Sequence, residues 1–582
     1  MTMRRYAVAA FLAVAGGCAV AVAFSPTPKC AVPILRSKLS RAIAPGVLPA
    51  HGGLSTALPS LPTALSTAAS SISRAILPPS TSSLSKVIRL FVLILASAMT
   101  ISSTLRNRIL YPGIVSDASR SEPLPPGPRG CPFIGKPFFV GSKSFGSGDF
   151  YRRISAKLGN PRIWKYYFMG QPFAVLSGKE LKYVLNKEFD EVTSSGVDLM
   201  GGGLMPMKSL LFERDRARHS FLRRLVGKSM TSSKVSEAVP TLQVAAEVQV
   251  SKMLKGGPDK KVAMAKICND YTLDVAWRQI LGLDLPEDEI PKFEHAVEQW
   301  ATGIMTIRIL FRVAVKSSPG YRAMKFVEEK IKNKISQLER DGPDSSTLSG
   351  MLFATDDEDV SRKLTREETI DNALILIFAG SETSASTLTN SLLFLGLHPD
   401  AWDKLVDEQL KMKERHGDML TKQNLDDECP YLEAVIKESM RMRAISGGIP
   451  RKAIKTLVVD GKQIPEGWLI DPSPLLTHEL DPKTSEEAGA HVDAVTGFNP
   501  ERWLKEETKP SEDYMPFGAG PRFCLGYNLA LAEMKVFLAV LARKISYSLD
   551  KKENIEWKGG MSVIAKPADG VLVRVTAAGE ET

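Results

Sequence analysis

The sequence predicts a mostly helical α+β fold with small β-sheets, behind a leader that contains no acidic residue. From about Tyr151 onward, apolar residues recur with helical periodicity over most of the chain. Short β-branched runs such as Leu457–Val459 interrupt that pattern and indicate a few strands. Because 44% of the 582 residues are hydrophobic, the chain can bury a substantial core.

Charge divides the chain into two parts. Eleven Lys and Arg residues and no acid precede Asp117, whereas the whole chain has a formal charge of +10. The part from Asp117 onward is therefore close to neutral. Nucleic-acid binding needs basic residues clustered on the folded body, so this distribution argues against it. The cysteines are widely spaced and include no C-x-x-C pair, which favours neither a zinc site nor a disulfide framework.

Residues 1–23 have the layout of a secretory signal peptide, in which two arginines precede an apolar run that ends in small residues. Residues 24–86 are rich in Ser, Thr, Ala and Pro and contain basic residues but no acid, as plastid transit peptides do. Their first residues, Phe24–Pro26, resemble the junction in the bipartite presequences of algae with complex plastids. We expect a plastid protein; the alternative is an endoplasmic-reticulum signal followed by a disordered linker.

Residues 87–105 are a candidate membrane anchor. The apolar part, Leu90–Leu105, has sixteen residues and would make a helix of about 24 Å, short of a hydrocarbon core of about 30 Å. A span that starts at residue 87 requires Arg89 to reach back to the interface, and an interfacial helix is the alternative. Residues 106–121 are predicted to be a linker, and the folded domain should occupy residues 122–582.

The motif that points most directly to a chemical function is the run FGAGPRFCLG, residues 517–526. Its glycines permit backbone conformations and close approaches that a Cβ would forbid. A strong helical pattern follows Cys524, so the sulfur should lie at a helix N-terminus, where free N–H groups and the dipole favour a thiolate. Arg522 precedes it by two residues and can pair with an anionic group.

This run resembles the haem-binding signature of the cytochrome P450 family, on which the matching residues are Phe517, Gly518, Gly520, Arg522, Cys524 and Gly526. The resemblance covers the chain from about residue 122 to its end. It implies the cytochrome P450 fold, haem b with Cys524 as the axial thiolate ligand of the iron, and monooxygenase activity. A thiolate ligand favours cleavage of the O–O bond. A glycine-rich turn around an inert thiol is disfavoured, because three further motifs occur in the family's order.

The second motif is Glu438-x-x-Arg441. Residues three apart share a helix face and can pair, although such a pair is usually solvated. In the family an arginine from a downstream loop completes the pair, and Arg502 matches it here. The resemblance implies a buried structural triad, and removal of one partner should cost about 3–5 kcal/mol.

The third motif, AGSETS at residues 379–384, lies in the middle of a long apolar stretch. The resemblance implies the kinked oxygen-binding segment of the helix that crosses the haem, in which Ala379 and Gly380 leave room for O₂. The Thr383 hydroxyl can compete for backbone carbonyls and open the helix locally. Glu382 and Thr383 would organise water and relay protons. This acid–alcohol pair favours O₂ activation over the family's non-oxygenating rearrangements.

The fourth motif is a set of expected contacts to the haem propionates. His219 and Arg223 lie four residues apart, on one helix face. Many family members have Trp and Arg at this spacing, and this chain has His219 in place of Trp. Arg451 fits a further propionate contact. By position, residues 199–211 belong to the segment that roofs the haem pocket, and they are candidates for substrate contact.

The sequence of residues 450–453 and 461–468 resembles that of the clan of retinoic-acid, plant steroid and terpenoid hydroxylases. It implies a lipophilic isoprenoid substrate: a carotenoid, apocarotenoid, sterol or terpenoid. Only 58 residues follow Cys524, too few for a fused flavin reductase, so we expect a separate electron donor. In a plastid this would be ferredoxin, and at the endoplasmic reticulum membrane an NADPH-dependent flavoprotein reductase. The alternatives are a non-oxygenating haem-thiolate isomerase and a haem-based sensor.

Overall fold

The computed structural model describes residues 110–130, 135, 148–168, 170–194, 203–304, 315–445, 448–485, 493–553, 555–557 and 566–579. The chain divides into two units, residues 1–110 and 111–582, and every element below belongs to the second. The predicted signal peptide, the predicted transit-peptide-like segment and the candidate anchor of residues 87–105 lie outside the described ranges. Within those ranges no helix combines the length and apolarity that a membrane span needs.

Helices form most of the second unit. They are α1 (Asp149–Lys157), α2 (Gly178–Leu185), α3 (Arg216–Lys228), α4 (Ser232–Leu254), α5 (Met264–Val275), α6 (Ile290–Ile304), α7 (Pro319–Asp341), α8 (Thr347–Phe353), α9 (Arg366–Leu397), α10 (Pro399–His416), α11 (Lys422–Asp427), α12 (Pro430–Met442), α13 (Pro474–Glu479), α14 (Pro482–Ser485) and α15 (Tyr527–Lys544). Short 3₁₀ turns cover Val315–Ser317, Pro500–Trp503 and Gly520–Arg522, and α5 continues into a π-helical turn, Ala276–Ile280.

The strands are short, and they form three small sheets in the described part of the chain. They are β1 (Ile163–Phe168), β2 (Gln171–Leu176), β3 (Val192–Ser194), β4 (Val262–Ala263), β5 (Arg451–Ala453), β6 (Leu457–Val459), β7 (Lys462–Ile464), β8 (Leu469–Pro472), β9 (Ile545–Leu549) and β10 (Leu572–Ala577). The sheets have the orders β1-β2-β8-β5-β3, β4-β10-β9 and β6-β7. The predicted mostly helical fold with small sheets is confirmed.

Helix α9 is the central element of the helical part. Its 32 residues begin at a capping box, in which the Thr365 hydroxyl accepts from the Glu368 N–H and the Glu368 carboxylate accepts from the Thr365 N–H. It is apolar on nearly all sides, as expected of a helix that other helices surround. It packs against α5, α7, α12 and α15.

Three hydrophobic cores hold the unit together, one of them around Phe150 and Trp164. The largest core lies among the helices and includes Trp300, Phe394 and Phe537. A smaller core lies under the five-stranded sheet, around Tyr167 and Trp468. In that sheet β5 is hydrogen-bonded to a neighbour on each side, so the backbone of Arg451 pairs with Ser194 of β3 and with Ile470 of β8. The strand therefore holds Arg451 rigidly where the sheet meets the helices.

Candidate functional site

A cavity of about 390 Å³ lies between α9 and the loop that precedes α15. Most of the residues that the sequence singled out for haem and oxygen line it together: Cys524, Arg522, Phe517, Gly518, Gly526, Arg451, His219, Arg223, Ala379, Gly380 and Thr383. Glu382, Glu438, Arg441 and Arg502 do not line it. Of the roof segment, residues 199–202 lie outside the described ranges, and Leu210 and Leu211 line the cavity.

The Cys524 loop is closed on itself by backbone hydrogen bonds. The Cys524 N–H donates to the Phe517 carbonyl at 3.0 Å. Gly520 adopts φ of +69°, and a Cβ there would lie 2.4 Å from the carbonyl oxygen of Leu185. Only glycine allows this approach, so the loop packs directly on the end of α2. Helix α15 begins at Tyr527, three residues after the cysteine.

Burial raises the pKa of the Cys524 thiol, while the backbone N–H of Gly526 and the nearby Arg223 act in the opposite direction. The thiol therefore needs a further positive centre before it can hold a negative charge. The other described cysteines, Cys268 and Cys429, are buried in the helical core. Cys524 is thus the described cysteine that a cofactor in the cavity could reach.

One rim of the cavity is strongly basic. Arg451 Nε lies 2.5 Å from Glu188 Oε2, and Arg522 Nε lies 2.6 Å from Glu188 Oε1. Burial lowers the pKa of His219 to about 4, and the charges of Arg522, Arg223 and Arg451 act in the same direction. At neutral pH His219 is therefore an uncharged imidazole, which can donate a hydrogen bond but adds no charge.

The three arginines differ in how many donors remain available. Arg522 also donates to the backbone carbonyls of Leu210, Leu211 and Glu213, which leaves about one of its five N–H groups. Arg451 otherwise donates to the carbonyl of Ile449. The side chain of the half-buried Arg223 has no hydrogen bond or ion pair with any residue that the structure describes.

These residues fit haem. Arg223 is a partly desolvated cation that faces the cavity, and Arg451 has donors to spare, so a carboxylate-bearing ligand would fit this rim. The thiol of Cys524 lies in the same cavity, and burial still raises its pKa in spite of the nearby Arg223, so a further positive centre would stabilise its thiolate. Haem would meet both needs, with iron at the sulfur and propionates at the arginines. When bound, haem supplies the chemistry of O₂ activation.

The middle of α9 forms the opposite wall. The Thr383 hydroxyl donates to the Ala379 carbonyl at 2.7 Å, and α9 runs through residues 379–384 without interruption. Gly380 adds no side chain to this wall and so leaves space in the cavity that a Cβ would reduce. Thr383 is therefore one of the hydroxyls that α9 places at this wall, where it can hold a proton or a water.

Glu382 points away from the cavity wall and forms an ion pair with Lys566. The two side chains are 25% and 20% exposed, so the pair lies between solvent and the interior. Sequence reasoning missed Lys566, because nothing in its local sequence distinguishes it from a surface lysine. The Glu382 carboxylate is therefore partly accessible from solvent.

The Glu438 carboxylate is surrounded by donors in the interior. Arg441 Nε lies 2.8 Å from Oε2 and Arg502 Nε 3.1 Å from Oε1. The indole N–H of Trp503 and the backbone N–H of Asn499 donate to the same carboxylate. The three charged side chains are 0–2% exposed, so the cluster ties α12 to the 3₁₀ turn Pro500–Trp503.

Two further acids were missed in the sequence. Glu188 lies in the run NKEFDE, residues 186–191, which reads as an ordinary charged surface segment. Glu533 lines the cavity from α15, and burial raises its pKa to about 8, opposed by a hydrogen bond with Ser384. A lone acid in the apolar run of α15 was a signal that could have identified Glu533.

A partly buried thiol and arginines with free donors around one largely apolar cavity are the features of a haem-thiolate site. The profile described as cytochrome P450 matches residues 125–573, and the chain belongs to this family. It is similar to cytochrome P450 3A2 of Rattus norvegicus, with 28% identity over 77% of this chain and 90% of the relative. It is also similar to cytochrome P450 26A1 of Gallus gallus, with 26% identity over 76% of this chain and 88% of the relative.

A solved structure, described as retinoic acid bound cyanobacterial CYP120A1, has the same fold, with a TM-score of 0.66 and 24% identity over 78% of this chain and 100% of that one. Members of the family hold haem through a cysteine thiolate and are monooxygenases. The chain is therefore a haem-dependent monooxygenase, which combines O₂, electrons from a redox partner and a lipophilic substrate.

Proposed function

We propose that this monooxygenase inserts one oxygen atom of O₂ into a lipophilic isoprenoid: a carotenoid, apocarotenoid, sterol or terpenoid. The observation that carries the proposal is the wall around Thr383, which is formed by aliphatic side chains of the roof segment, the π-helical turn and α9, namely Leu210, Leu211, Ile280, Ile375 and Leu376. Such a wall suits a hydrocarbon skeleton, because most of its surface is apolar.

The amide of Asn372 lies on that wall, and it is already in use. Its oxygen accepts from the Leu210 N–H at 2.9 Å, and its nitrogen donates to the Glu368 carbonyl at 2.8 Å. A strongly polar substrate would find no partner in this amide and would lose its hydration. The resemblance of residues 450–453 and 461–468 to the isoprenoid-hydroxylating clan supports the same substrate class.

The experiment is a binding and turnover screen of the haem-loaded protein. The panel pairs isoprenoids (a retinoid, a carotenoid, a sterol and a diterpene) with unbranched fatty acids and alkanes of matched length. We expect isoprenoids to displace water from the iron, which is seen as a shift of the Soret band, and to yield products that carry one ¹⁸O from ¹⁸O₂. Turnover of the unbranched compounds with none of the isoprenoids would overturn the proposal.

We further propose that the protein works in a complex plastid, associated with a membrane, and receives electrons from ferredoxin. The acid-free leader of residues 1–86 and the apolar stretch of residues 87–105 support this location. Residues 1–86 fused to a fluorescent protein should direct it to the plastid of an alga with complex plastids, and retention in the endoplasmic reticulum would contradict the proposal. Turnover with ferredoxin and its reductase should exceed turnover with an NADPH-dependent flavoprotein reductase.

A further inference from the structure

Glu188 occupies the centre of the basic rim. It lies in the short connection between α2 and β3, and its side chain is fully buried. Its carboxylate accepts from Arg451 and Arg522, and the backbone N–H of Ser194 donates to Oε1 at 3.1 Å. One carboxylate thus joins β5, the Cys524 loop and β3.

The side chains of the rim carry a net positive charge. Arg223, Arg451 and Arg522 line the cavity and carry three positive charges, and His219 is neutral. Glu188 carries one negative charge, so the group has a net charge of +2. Haem b has two propionates and a charge of −2 at its edge. The rim matches this charge only when Glu188 is included.

Other acids near this rim are committed elsewhere. Asp190 pairs with the exposed Arg216, and Glu191 pairs with Lys455. The Glu213 carboxylate accepts from the backbone N–H groups of Arg214 and Asp215. Among the described residues, Glu188 is therefore the carboxylate that touches the rim arginines.

We propose that Glu188 is a positioning residue for haem, which holds Arg451 and Arg522 in place and offsets one rim charge, and thereby sets the reduction potential of the iron. This role goes beyond the proposed substrate and does not depend on it. Reduction adds one negative charge to the haem, and an uncompensated cation at the rim favours the reduced form. Loss of the Glu188 charge should therefore make the iron easier to reduce.

The first test is Glu188→Gln in the haem-loaded protein, because glutamine keeps the size and removes the charge. We expect the ratio of ferrous to ferric protein at a fixed potential to rise by about tenfold, which corresponds to ~59 mV for a one-electron couple. Release of haem to an excess of apomyoglobin should also become faster. Glu188→Asp keeps the charge, so its potential should stay at the wild-type value.

The matched control is Glu191→Gln. Glu191 lies three residues further along the same connection, and its partner Lys455 is 56% exposed, so the same loss of charge is screened by solvent. We expect this variant to keep the wild-type potential. If Glu188→Gln shifts the potential no more than Glu191→Gln does, the proposal is wrong.

A double variant keeps the test decisive where Glu188→Gln does not fold. Arg451→Gln alone should lower the potential, and Glu188→Gln/Arg451→Gln restores the rim charge, so its potential should return close to that of wild type. If Glu188→Gln fails to fold because of uncompensated cations, the double variant should fold and bind haem. Failure of the double variant as well would overturn the charge-balance role.

Discussion

The ammonium of Lys566 pairs with the carboxylate of Glu382, beside Thr383 in the middle of α9. Lys566 lies on the segment that leads into β10. The pair therefore links the wall of the cavity that α9 forms to the segment that precedes β10 of the three-stranded sheet. It holds the acid on the solvent side of the helix, next to the hydroxyl that lines the cavity.

Lys566→Met should increase the fraction of electrons lost to hydrogen peroxide. Without its partner the Glu382 carboxylate samples other rotamers, and proton delivery beside Thr383 becomes less regular. The measurement is product formed per NADPH consumed. Glu382→Gln should show a similar loss, and the double variant should lose no more than the worse single variant. The exposed Lys552→Met serves as control, and equal coupling in both lysine variants would count against the role of the pair.

Thr383→Ala should uncouple O₂ consumption from product by an order of magnitude or so, in line with the ~10²–10⁴-fold range for positioned proton-transfer groups. Thr383→Ser keeps the hydroxyl and should keep most of the coupling. The control is Thr389→Ala, because Thr389 makes the same bond to a carbonyl four residues earlier, that of Ala385 at 2.7 Å. Similar coupling in both alanine variants would mean that the Thr383 hydroxyl acts only on the helix.

Glu438→Ala should destabilise the fold by about 3–5 kcal/mol, because it leaves Arg441 and Arg502 buried without their counter-charge. The measurement is the free energy of unfolding in urea, together with haem content. Asp407→Ala removes an acid whose pair with Lys411 is 63–64% exposed, and it should have little effect. Comparable losses of unfolding free energy in the two variants would show that burial of the triad does not increase its contribution to stability.

The buried carboxyl group of Glu533 should make the folded protein less stable as the pH rises. Burial raises the pKa of Glu533 from 4.5 to about 8. Between these values the folded chain keeps the proton and the unfolded chain has released it, so each step upward in pH favours unfolding. Below pH 4.5 and above pH 8 this contribution is constant.

Glu533→Gln should remove that part of the pH dependence, because glutamine is neutral throughout. The measurement is the unfolding free energy at a series of pH values from 5 to 9, for the variant and the wild type. An unchanged slope in the variant would show that Glu533 is already ionised in the fold. Asp471 is a useful contrast. Burial raises its pKa to about 6, so its effect on the unfolding free energy ends at a lower pH than that of Glu533.

The chemistry of the Cys524 loop could be predicted because it is local. Residues 517–526 are contiguous, and their glycines and the helix that follows determine where the sulfur lies whatever the rest of the fold does. Glu438 and Arg441 are likewise neighbours on one helix turn. Helical periodicity predicted the mostly helical fold for the same reason, since it reports on each segment separately.

The partners of the rim and of α9 could not be predicted in this way. Glu188 meets Arg451 across 263 residues and Arg522 across 334, and Lys566 meets Glu382 across 184. In the linear chain Glu188 and Lys566 look like solvated surface charges. Their pairing follows from burial, because a charge withdrawn from water requires a counter-charge, and the folded chain alone determines which one is within reach.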